Sequence, residues 1–303
     1  MLCIEKRNTS SMENHLLKYL AFVRTVDTGS FTRAAESLNY AQSSVSKMIG
    51  DLEREWGVAL LERGRSGVCL TSAGEGILPL VRTVLNDQRM LAGHIDRLNG
   101  MQTGMVRIGT FASVAINWLP EVFAEFQKAY PGIEYEMLMG DYDEVARGID
   151  EGRVDCGFLR LPTVRGLDAL AVKRDEYKVV LPCGHPLAER ERIDIHELDG
   201  LPFLLLEHGG KTEVTELLEK SGVHPKIRFT TWEDYAIMAM AEKGLGVGIL
   251  PELILQRIPY RIEIRPLAQP YYRQIGLAMK DRRRLSPRGA ELRLLSQVRR
   301  RVR

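Results

Sequence analysis

The chain has 303 residues, of which 45% are hydrophobic and 27% are charged, and its formal net charge is +2. This length predicts two or three domains, and no apolar run reaches the ~20 residues that a membrane-spanning helix needs. A charge this close to zero does not by itself indicate a nucleic-acid binder, so any contact with DNA depends on where the basic side chains lie.

The amino-terminal segment and the cysteines indicate the compartment. Met1–Met12 is polar and mixed in charge, and it lacks the apolar core of a signal peptide. Cys3, Cys69, Cys156 and Cys183 show no CxxC spacing, which favours free thiols over disulfides or metal ligands. We therefore expect a cytoplasmic protein with no metal site and no membrane partner.

Two short helices are predicted first. One runs from Asn14 to Asp27, with apolar residues at helical spacing, and the other from Phe31 to Leu38. Between them, Gly29 suits a helix C-terminus and Ser30 can cap the next helix. The second helix carries two adjacent alanines, whose small side chains allow a third helix to cross close by.

The third helix, over Gln42 to Trp56, has a buried face and a polar face. Val45, Ile49 and Leu52 recur at i, i+4 and i+7 and are predicted to face inwards. The polar face carries Gln42, Ser43, Ser44, Ser46 and Lys47. A Gln side chain can form hydrogen bonds with adenine, and a Ser hydroxyl can bond to bases or phosphates. A Lys ammonium can bind guanine or phosphate. This build is typical of a helix-turn-helix, although a plain surface helix is the alternative.

A β-hairpin is predicted over Leu60 to Leu70, because two short apolar segments flank a turn rich in Gly and Arg. A hairpin beside a helix-turn-helix is a wing. Arg63 and Arg65 at its tip are predicted to contact phosphates or to enter the minor groove. The alternative for each arginine is a solvated charge on the hairpin.

A long helix is predicted from Thr71, with Ser72 and Glu75 spaced as a capping box. Pro79 should kink this helix or mark a late start, and a linker follows at Met101–Gly104. The apolar positions form a heptad seam with one polar member: Ile77, Val81, Val84, Gln88, Leu91, Ile95 and Leu98. We expect a dimer through residues 72–98, able to read a two-fold DNA site; packing on its own domain is the alternative.

The rest of the chain alternates strands and helices. Strands are predicted over 106–109, 133–138, 154–159, 178–181, 203–206, 227–229 and 275–279, and helices over 117–130, 214–221, 233–243 and 287–301. This alternation predicts α/β architecture with open, mostly parallel sheets. Residues 280–303 are rich in arginine, which favours a solvated final helix or, as the alternative, a second contact with DNA or an acidic partner.

On these residues, the chain resembles the LysR-type transcriptional regulators over nearly its whole length. The specific part lies within residues 22–78 and includes GSFTRAAESLNYAQSSVSKMIGDLEREWGVALLERGRSGVCLTSAGE. VRIGTFAS, LPEVFAEFQKAYPGIEYE, GRVDCGFL, PCGHPLAER and GLGVGILPE follow in order. Two positions depart from the family: Ala41 stands where a capping Ser or Thr is common, and Leu60-Leu61 replaces a usual Leu-Phe pair.

The resemblance implies an architecture and a function. It implies a winged helix-turn-helix (residues 13–70), a linker helix for dimerisation with its hinge (71–103), and a two-lobed α/β effector domain like periplasmic binding proteins (104–303). One lobe would hold residues 104–177 and 268–303, the other 178–267. The expected protein is a sequence-specific, DNA-binding regulator and not an enzyme. It would form tetramers as dimers of dimers, activate more often than repress, and contact RNA polymerase.

In similar regulators a small molecule sits between the lobes. The matching candidate residues here are Thr110, Phe111, Ser113, Arg160, Lys211, Trp232 and Gly246. The hydroxyls and backbone N–H groups at Thr110–Ser113 can hold an anion, Arg160 and Lys211 add positive charge, and the aromatic rings suit a ring on the ligand. We expect a small carboxylate effector and no cofactor. The alternatives are a helix cap for Ser113, a surface charge for Arg160 and a core position for Trp232.

Two other classes of protein fit less well. Gly244–Gly248 lacks the GxGxxG spacing of a nucleotide loop, the histidines show no metal-ligand spacing, and no nucleophile with a base partner can be identified, so an enzyme is disfavoured. A transport-binding protein would require export, and a helix-turn-helix would serve no purpose there.

Overall fold

The computed structural model describes residues 9–64, 67–98, 103–163, 166–207 and 212–281. The predictions for Cys3, Arg65, Lys211 and the arginine-rich helix over 287–301 lie outside these residues. The chain divides into two compact units. The first holds the residues up to Gly104 with Asp150–Arg153, and the second holds Met105–Ile149 and the residues from Val154 onward. In the described ranges, no helix is long and apolar enough to cross a membrane.

The first unit packs three helices, a hairpin and a long helix around one small core. Its elements are α1 (Thr9–Thr28), α2 (Phe31–Leu38), α3 (Gln42–Trp56), β1 (Leu61–Gly64), β2 (Gly67–Leu70) and α4 (Ser72–Leu98). Phe22 of α1 is fully buried against Ala34 and Ala35 of α2 and against Val45 and Ile49 of α3. The predicted order of helices and hairpin is therefore confirmed, including the role of the two alanines at the helix crossing.

Local turn chemistry fixes the angle between the short helices. Gly29 takes φ 62°, the left-handed region, where α1 ends. The Ser30 hydroxyl accepts a hydrogen bond from the backbone N–H of Arg33 at 3.4 Å. Ala41 offers no such bond to α3, so the recognition helix begins without a side-chain cap.

The start of α4 differs from the sequence prediction. Ser72 and Glu75 do not form the capping box. The hydroxyl of Thr71 instead accepts from the N–H of Gly74 at 3.0 Å and donates to the carbonyl of Ala59 at 2.7 Å. A side chain at Gly74 would overlap the carbonyl oxygen of Leu60, so only glycine fits there. Pro79 lies inside the helix, and the expected late start is wrong.

The apolar seam of α4 is split between two environments. Leu78 and Val81 are buried in the core of the first unit, and Ile77 packs against it. The prediction that Ile77 and Val81 face a partner helix is therefore wrong, because α4 packs on α1 with that part of its surface. Among the side chains of α4 that the structure describes, the large apolar ones that are exposed are Leu80, Val84, Leu91 and Ile95, with Leu80 67% and Leu91 60% exposed.

The second unit contains nine strands and five helices in the part of the chain that the structure describes. They are β3 (Thr103–Thr110), α5 (Ala112–Asn117), α6 (Leu119–Ala129), β4 (Gly132–Met139), α7 (Tyr142–Asp150), β5 (Cys156–Leu161), β6 (Asp168–Pro182), β7 (Pro202–Leu206), α8 (Glu213–Ser221), β8 (Lys226–Thr231), α9 (Asp234–Glu242), β9 (Val247–Pro251), β10 (Ile262–Pro266) and β11 (Tyr272–Met279). The strand order is β4-β3-β5-β11-β6-β9-β7-β8, and β10 pairs with β6.

Strand β6 is shared by two lobes. Its residues 168–176 pair with β11, and its residues 177–182 pair with β9 and β10. We call β3, β4, β5 and β11 with their helices the first lobe, and β7 to β10 with theirs the second lobe. Separate apolar cores support them, around Phe126 and Phe158 in the first lobe and around Phe203 and Ile249 in the second.

The sheet is mixed, and the expectation of mostly parallel strands is wrong. β3·β5, β7·β8 and β7·β9 are parallel, whereas β11 runs antiparallel to both of its neighbours and β6 runs antiparallel to β9 and β10. The predicted helix over 117–130 is α6 (Leu119–Ala129), and the short α5 before it is an additional helix; Pro120 in the first turn of α6 has no N–H to continue α5.

Candidate functional site

The amino-terminal half of α3 presents the polar residues expected to contact DNA. Gln42, Ser43 and Lys47 are exposed, and Ser44 and Ser46 are half-buried. The opposite face of the helix, with Val45, Ile49 and Leu52, is buried. All five predicted side chains therefore share one accessible end of one helix. Because no side chain caps that end, its first backbone N–H groups are also suited to a phosphate.

Contacts at the other end of α3 fix its position. Glu55 accepts hydrogen bonds from His15 at 2.6 Å and Lys18 at 3.2 Å, both on α1, and the bond from His15 lowers the pKa of the Glu55 carboxyl. The Glu53 carboxylate accepts from the N–H groups of Leu60 and Leu61 at 2.7 and 3.1 Å. These bonds tie the helix to α1 and to the hairpin, and they leave its amino-terminal half free to contact a ligand.

The hairpin lies beside the turn between α1 and α2. β1 and β2 pair antiparallel, with Arg63 opposite Val68, and the N–H of Val68 donates to the carbonyl of Gly29 at 3.3 Å. A Cβ at Gly67 would lie 2.9 Å from that carbonyl oxygen. The predicted wing is confirmed as a hairpin; the side chain of Arg63 and the whole of Arg65 lie outside what the structure describes.

Two exposed residues near α3 were not predicted from the sequence. Arg33 lies on the exposed side of α2, and Tyr40 in the turn between α2 and α3 is exposed. Both types bind nucleic acids, Arg through phosphate and Tyr through hydrogen bonds or stacking. The sequence did contain a signal for Tyr40, because a large aromatic residue is seldom exposed in a tight turn between two helices.

In the second unit, several polar side chains follow the carboxyl ends of parallel strands. Ser113 follows β3, Arg160 lies near the end of β5, Glu213 follows β7 and Asp234 follows β8. In open α/β sheets this edge is where ligands bind. Tyr142 joins them from the start of α7. The arrangement draws on both lobes.

Arg273 on β11 organises the first-lobe side of this edge. Its guanidinium donates to the Asp175 carboxylate at 2.8 and 2.7 Å, to the Ser113 hydroxyl at 2.8 Å and to the Tyr142 hydroxyl at 3.0 Å. It also lies 5.0 Å from the centre of the Phe111 ring. Asp175 and Arg273 are buried, so each compensates the charge of the other.

Arg273 and Asp175 were not predicted from the sequence. Arg273 is the single charged residue of β11, whereas Asp175 lies in a run of charged residues in β6, Lys173–Glu176, and does not stand out there. Such residues are almost never buried without a partner, but the sequence does not show that these two strands are neighbours. Ser113 was identified, although its hydroxyl accepts from a protein side chain here.

Arg160 links the two lobes. Its guanidinium donates to the Glu216 carboxylate of α8 at 3.0 and 3.3 Å, and its Nε lies 3.7 Å from Glu213 Oε1. The hydrogen bond with Glu216 raises the pKa of Arg160. Arg160 therefore places a positive charge at this edge, as expected, and the Glu216 carboxylate of the second lobe is already hydrogen-bonded to it.

Glu213 and Asp234 form the acidic second-lobe side. Glu213 is 7% exposed, and its Oε1 has no hydrogen-bond partner in the part of the chain that the structure describes. Burial raises the pKa of the Asp234 carboxyl to about 6, against an opposing effect of the Arg273 charge. Burial likewise raises the pKa of the Tyr142 hydroxyl, on which both Arg273 and Glu213 act. Neither acid was predicted.

The remaining predicted effector residues fall in different places. Thr110 is fully buried at the end of β3, and Phe111 packs edge-on against Tyr142. Trp232 is 69% exposed, so the core alternative is wrong for it. Gly246 precedes β9 at the opposite edge of the sheet, where a Cβ would lie 2.8 Å from the carbonyl oxygen of Pro202. Backbone packing accounts for that glycine, and the structure does not bring it to the other candidates.

The metal and cysteine predictions can be compared with the described residues only. Among them, no three His, Cys, Asp or Glu side chains are grouped to hold a metal ion. Cys69 and Cys183 are exposed and Cys156 is buried.

Comparisons with known families match both units. A family model described as "Bacterial regulatory helix-turn-helix protein, lysR family" matches residues 16–75. A second, described as "LysR substrate binding domain", matches residues 99–301. Together they span most of the chain.

Individual proteins agree with the family matches. The chain is 35% identical, over 87% of its length and 89% of the relative's, to a probable HTH-type transcriptional regulator LrrA of Synechococcus elongatus. It is 31% identical to the uncharacterized HTH-type transcriptional regulator YvbU of Bacillus subtilis, over 85% of this chain and 89% of that one. The solved structure of a full-length OxyR from Pseudomonas aeruginosa is similar with a TM-score of 0.73 at 24% identity, covering 94% and 97% of the two chains, which shows a shared fold.

Proposed function

This chain belongs to the LysR family of bacterial transcriptional regulators, and we propose that α3 reads a specific DNA site under the control of a small molecule bound by the second unit. Members of this family are DNA-binding regulators with a substrate-binding domain, and they are not enzymes. The observation that carries the proposal is the set of five polar side chains on the one accessible end of a firmly held helix.

The proposed DNA contacts divide into reading and positioning. Gln42 and Lys47 read base edges in the major groove, and Ser43, Ser44 and Ser46 bond bases or phosphates. Arg63 and Arg65 of the hairpin contact phosphates or the minor groove. Arg33 and Tyr40 are added as flanking contacts, because the structure exposes them next to α3.

The protein acts as a dimer through α4 and as a tetramer of two such dimers. Exposed Leu80, Val84, Leu91 and Ile95 recur along one helix, and a helix surface of this kind is stabilised by a partner helix. A two-fold dimer places two copies of α3 about one DNA turn apart, which requires a pseudo-palindromic site.

The effector is a small carboxylate that binds between the lobes. Buried Arg273, the Ser113 hydroxyl and the Phe111 ring favour an anion with an aromatic or apolar group. Thr110, Arg160, Lys211 and Trp232 are the further proposed contacts. Gly246 is not retained, since it lies at the other edge of the sheet.

The effector changes transcription only if it binds two arrangements of the lobes with different affinity. We expect activation, with RNA polymerase recruited at the promoter, and an intracellular site of action in the cytoplasm. The resemblance to activating regulators of this family supports that direction.

The DNA-binding proposal is tested by selecting genomic DNA with the purified full-length protein and footprinting the best site at two salt concentrations. Lys47→Ala should weaken binding about tenfold and lower the slope of log affinity against log salt by ~0.9 if Lys47 contacts one phosphate. Lys220→Ala removes another exposed lysine, on α8 of the second unit, and should leave the affinity and the salt slope unchanged.

A failure would be clear in either variant. Unchanged affinity in Lys47→Ala, or an equal loss in Lys220→Ala, would exclude α3 as the reading helix. Absence of any salt-sensitive, protected site would contradict the proposal as a whole.

Dimerisation has its own test. Leu91→Glu places a charge on the exposed apolar surface of α4 and should reduce the dimer to monomer in sedimentation experiments. Asp87→Glu, an exposed change on the same helix that keeps its charge, serves as the control. A Leu91→Glu protein that still sediments as the wild-type assembly would rule out this surface.

A further inference from the structure

We propose that the effector carries a protonated amine, which the Glu213 carboxylate holds at the carboxyl edge of the second lobe. The inference rests on the proposed effector function and narrows its chemistry from a carboxylate to an amino carboxylate. It starts from the charges that the cleft residues leave uncompensated.

The two cations of this edge are already engaged. Arg273 is paired with Asp175 at 2.7 Å, and the guanidinium of Arg160 is hydrogen-bonded to Glu216 at 3.0 Å. Glu213 and Asp234 are two further acids at the same edge. Among the described residues of the cleft, carboxylates therefore outnumber cations, and a purely anionic ligand would add to the excess.

Glu213 is the buried acid with an oxygen that lacks a donor. Its Oε1 is inaccessible to solvent and no described group donates a hydrogen bond to it. The nearest cation, Arg160 Nε, lies 3.7 Å away, which is too long for a hydrogen bond. Glu213 is the first residue of α8, so the helix dipole favours its charge. That field does not supply a hydrogen-bond donor to Oε1, and a buried carboxylate oxygen without a donor is unfavourable even where a cation lies nearby.

The position of Glu213 suits a ligand that contacts both lobes. It belongs to the second lobe, whereas the Tyr142 hydroxyl and the Arg160 guanidinium beside it belong to the first. An ammonium group has three donors and no acceptor, so it can donate to Glu213 Oε1 and to the Tyr142 oxygen together. Such a group would close the lobes on one another through its own hydrogen bonds.

An amine also fits better than a metal ion. The structure groups no three metal-ligating side chains anywhere in the ranges that it describes, and two carboxylates with a phenol make a poor cation cage. The carboxylate end of the same ligand would lie towards the first lobe, where Ser113 and Arg273 are hydrogen-bonded to one another and would gain the ligand as a further partner. The expected chemical class is therefore a small molecule with one amine and one carboxylate.

The test compares matched pairs of ligands on the full-length protein. Thermal unfolding is followed with the common amino acids, β-alanine and 4-aminobutyrate, each beside the carboxylic acid that lacks the amine; 3-phenylpropanoate, for example, is paired with phenylalanine. At least one amine-bearing member should raise the melting temperature, and its affinity by calorimetry should exceed that of its deaminated partner at least tenfold.

Two variants assign the effect to Glu213. Glu213→Gln should abolish the preference for the amine-bearing member, and Glu191→Gln, which removes an exposed acid of a loop in the same lobe, should keep it. Glu213→Asp, which retains the charge on a shorter side chain, covers the case in which the glutamine variant does not fold. It should retain a weakened preference.

The outcomes separate this inference from the function on which it rests. If the deaminated acids bind as tightly as the amino acids, the proposal of a carboxylate effector is retained, and the inference that the effector carries an amine is wrong. Persistence of the preference in Glu213→Gln, or failure of every amine-bearing compound to bind, would also overturn the inference. DNA binding by the same preparations, measured separately, reports on the regulator function itself.

Discussion

The two units of this protein build their functional surfaces in opposite ways. In the first unit, the proposed DNA contacts are neighbours in sequence, Gln42 to Lys47, on one turn and a half of α3. In the second unit, the polar cluster joins Ser113, Tyr142, Asp175 and Arg273 from four different elements. A surface made by one helix can be read from its periodicity, whereas a cluster made by strand ends depends on which strands are neighbours.

The two surfaces also differ in how their positive charges are exposed to solvent. Lys47 is exposed, and its charge is available to a polyanion with little desolvation. Arg273 is buried with its acid and its hydroxyl partners, so its charge mainly positions other groups. Lys47 is therefore a proposed contact with DNA, whereas Arg273 is part of the framework of its site. Four predictions test this contrast.

The largest expected effect comes from Arg273. Arg273→Gln leaves the buried Asp175 without its cation and should destabilise the second unit by about 3–5 kcal/mol, whereas Arg160→Gln, at a more exposed pair, should lower stability by about 1 kcal/mol or less. Denaturant unfolding of the full chain, followed by probes in each unit, measures both. Equal losses in the two variants would show that Arg273 is not a framework residue.

The second prediction concerns the first unit and compares two glycines at the start of α4, one in close contact with Leu60 and one in open space. Gly74→Ala pushes a methyl group into the carbonyl of Leu60 and should destabilise the first unit by about 2–3 kcal/mol. Gly76→Ala, two residues later, would have nothing within 4 Å of its new methyl group and should stabilise the helix by up to about 1 kcal/mol. Thermal unfolding of both variants gives the comparison, and a stabilising Gly74→Ala would contradict the close approach of Leu60 to this glycine.

The third prediction concerns pH and the acidic side of the cleft. Asp234 is faced by Arg273, Glu233 and Asp175, and burial raises the pKa of its carboxyl from the usual 3.8 to about 6. The folded chain therefore holds this proton more tightly than the unfolded chain, so the stabilising contribution is complete below about pH 4 and is lost as the pH rises through 6.

Asp234→Asn cannot ionise, so its stability relative to the wild type should increase by up to about 2 kcal/mol between pH 4 and pH 7. Denaturant unfolding across that range measures the difference. The exposed Asp143→Asn serves as the control. A stability difference that does not change with pH would mean that the Asp234 carboxyl is well solvated.

The smallest expected effect is at the start of α3. Ala41→Ser supplies the missing side-chain cap and should stabilise the first unit by about 0.5–1 kcal/mol. Ser30→Ala, which removes the equivalent cap of α2, should destabilise it by a similar amount. Thermal unfolding tests the pair, and a destabilising Ala41→Ser would indicate that the turn prefers alanine for its backbone geometry.

Most elements of the first unit followed from the sequence, and its errors have a common cause. The bounds of α2 and α3 agree with the prediction because each helix has a periodic apolar face and because local residues mark its ends: Ser30 caps the start of α2, and Gly57 follows the end of α3. The capping residue of α4 was wrong, since Thr71 is also bonded to Ala59 across the hairpin. The seam was wrong at Ile77 and Val81, because packing on α1 competes with a partner helix for the same apolar residues.

In the second unit, the sequence placed most strands but not the site. Ser113, Phe111 and Arg160 were identified from local patterns and the resemblance, whereas Asp175, Glu213, Asp234 and Arg273 were not. Each of the missed residues is an ordinary charged side chain in its own sequence context. Asp175 and Arg273 are buried as a pair on strands that are far apart in the chain, and Glu213 and Asp234 reach the same edge only through the strand order of the sheet.

The sequence by itself determined the helix-turn-helix, the hairpin, the family and the polar face of α3 that we propose contacts DNA, because these depend on spacing within a few turns of chain. Only the tertiary structure decided which part of α4 remains exposed, that the sheet is mixed, and that Arg273 is neutralised while Glu213 Oε1 lacks a donor among the described residues. The physical reason is that burial and electrostatic pairing are properties of neighbours in space, and the strands that bring those neighbours together are far apart in sequence.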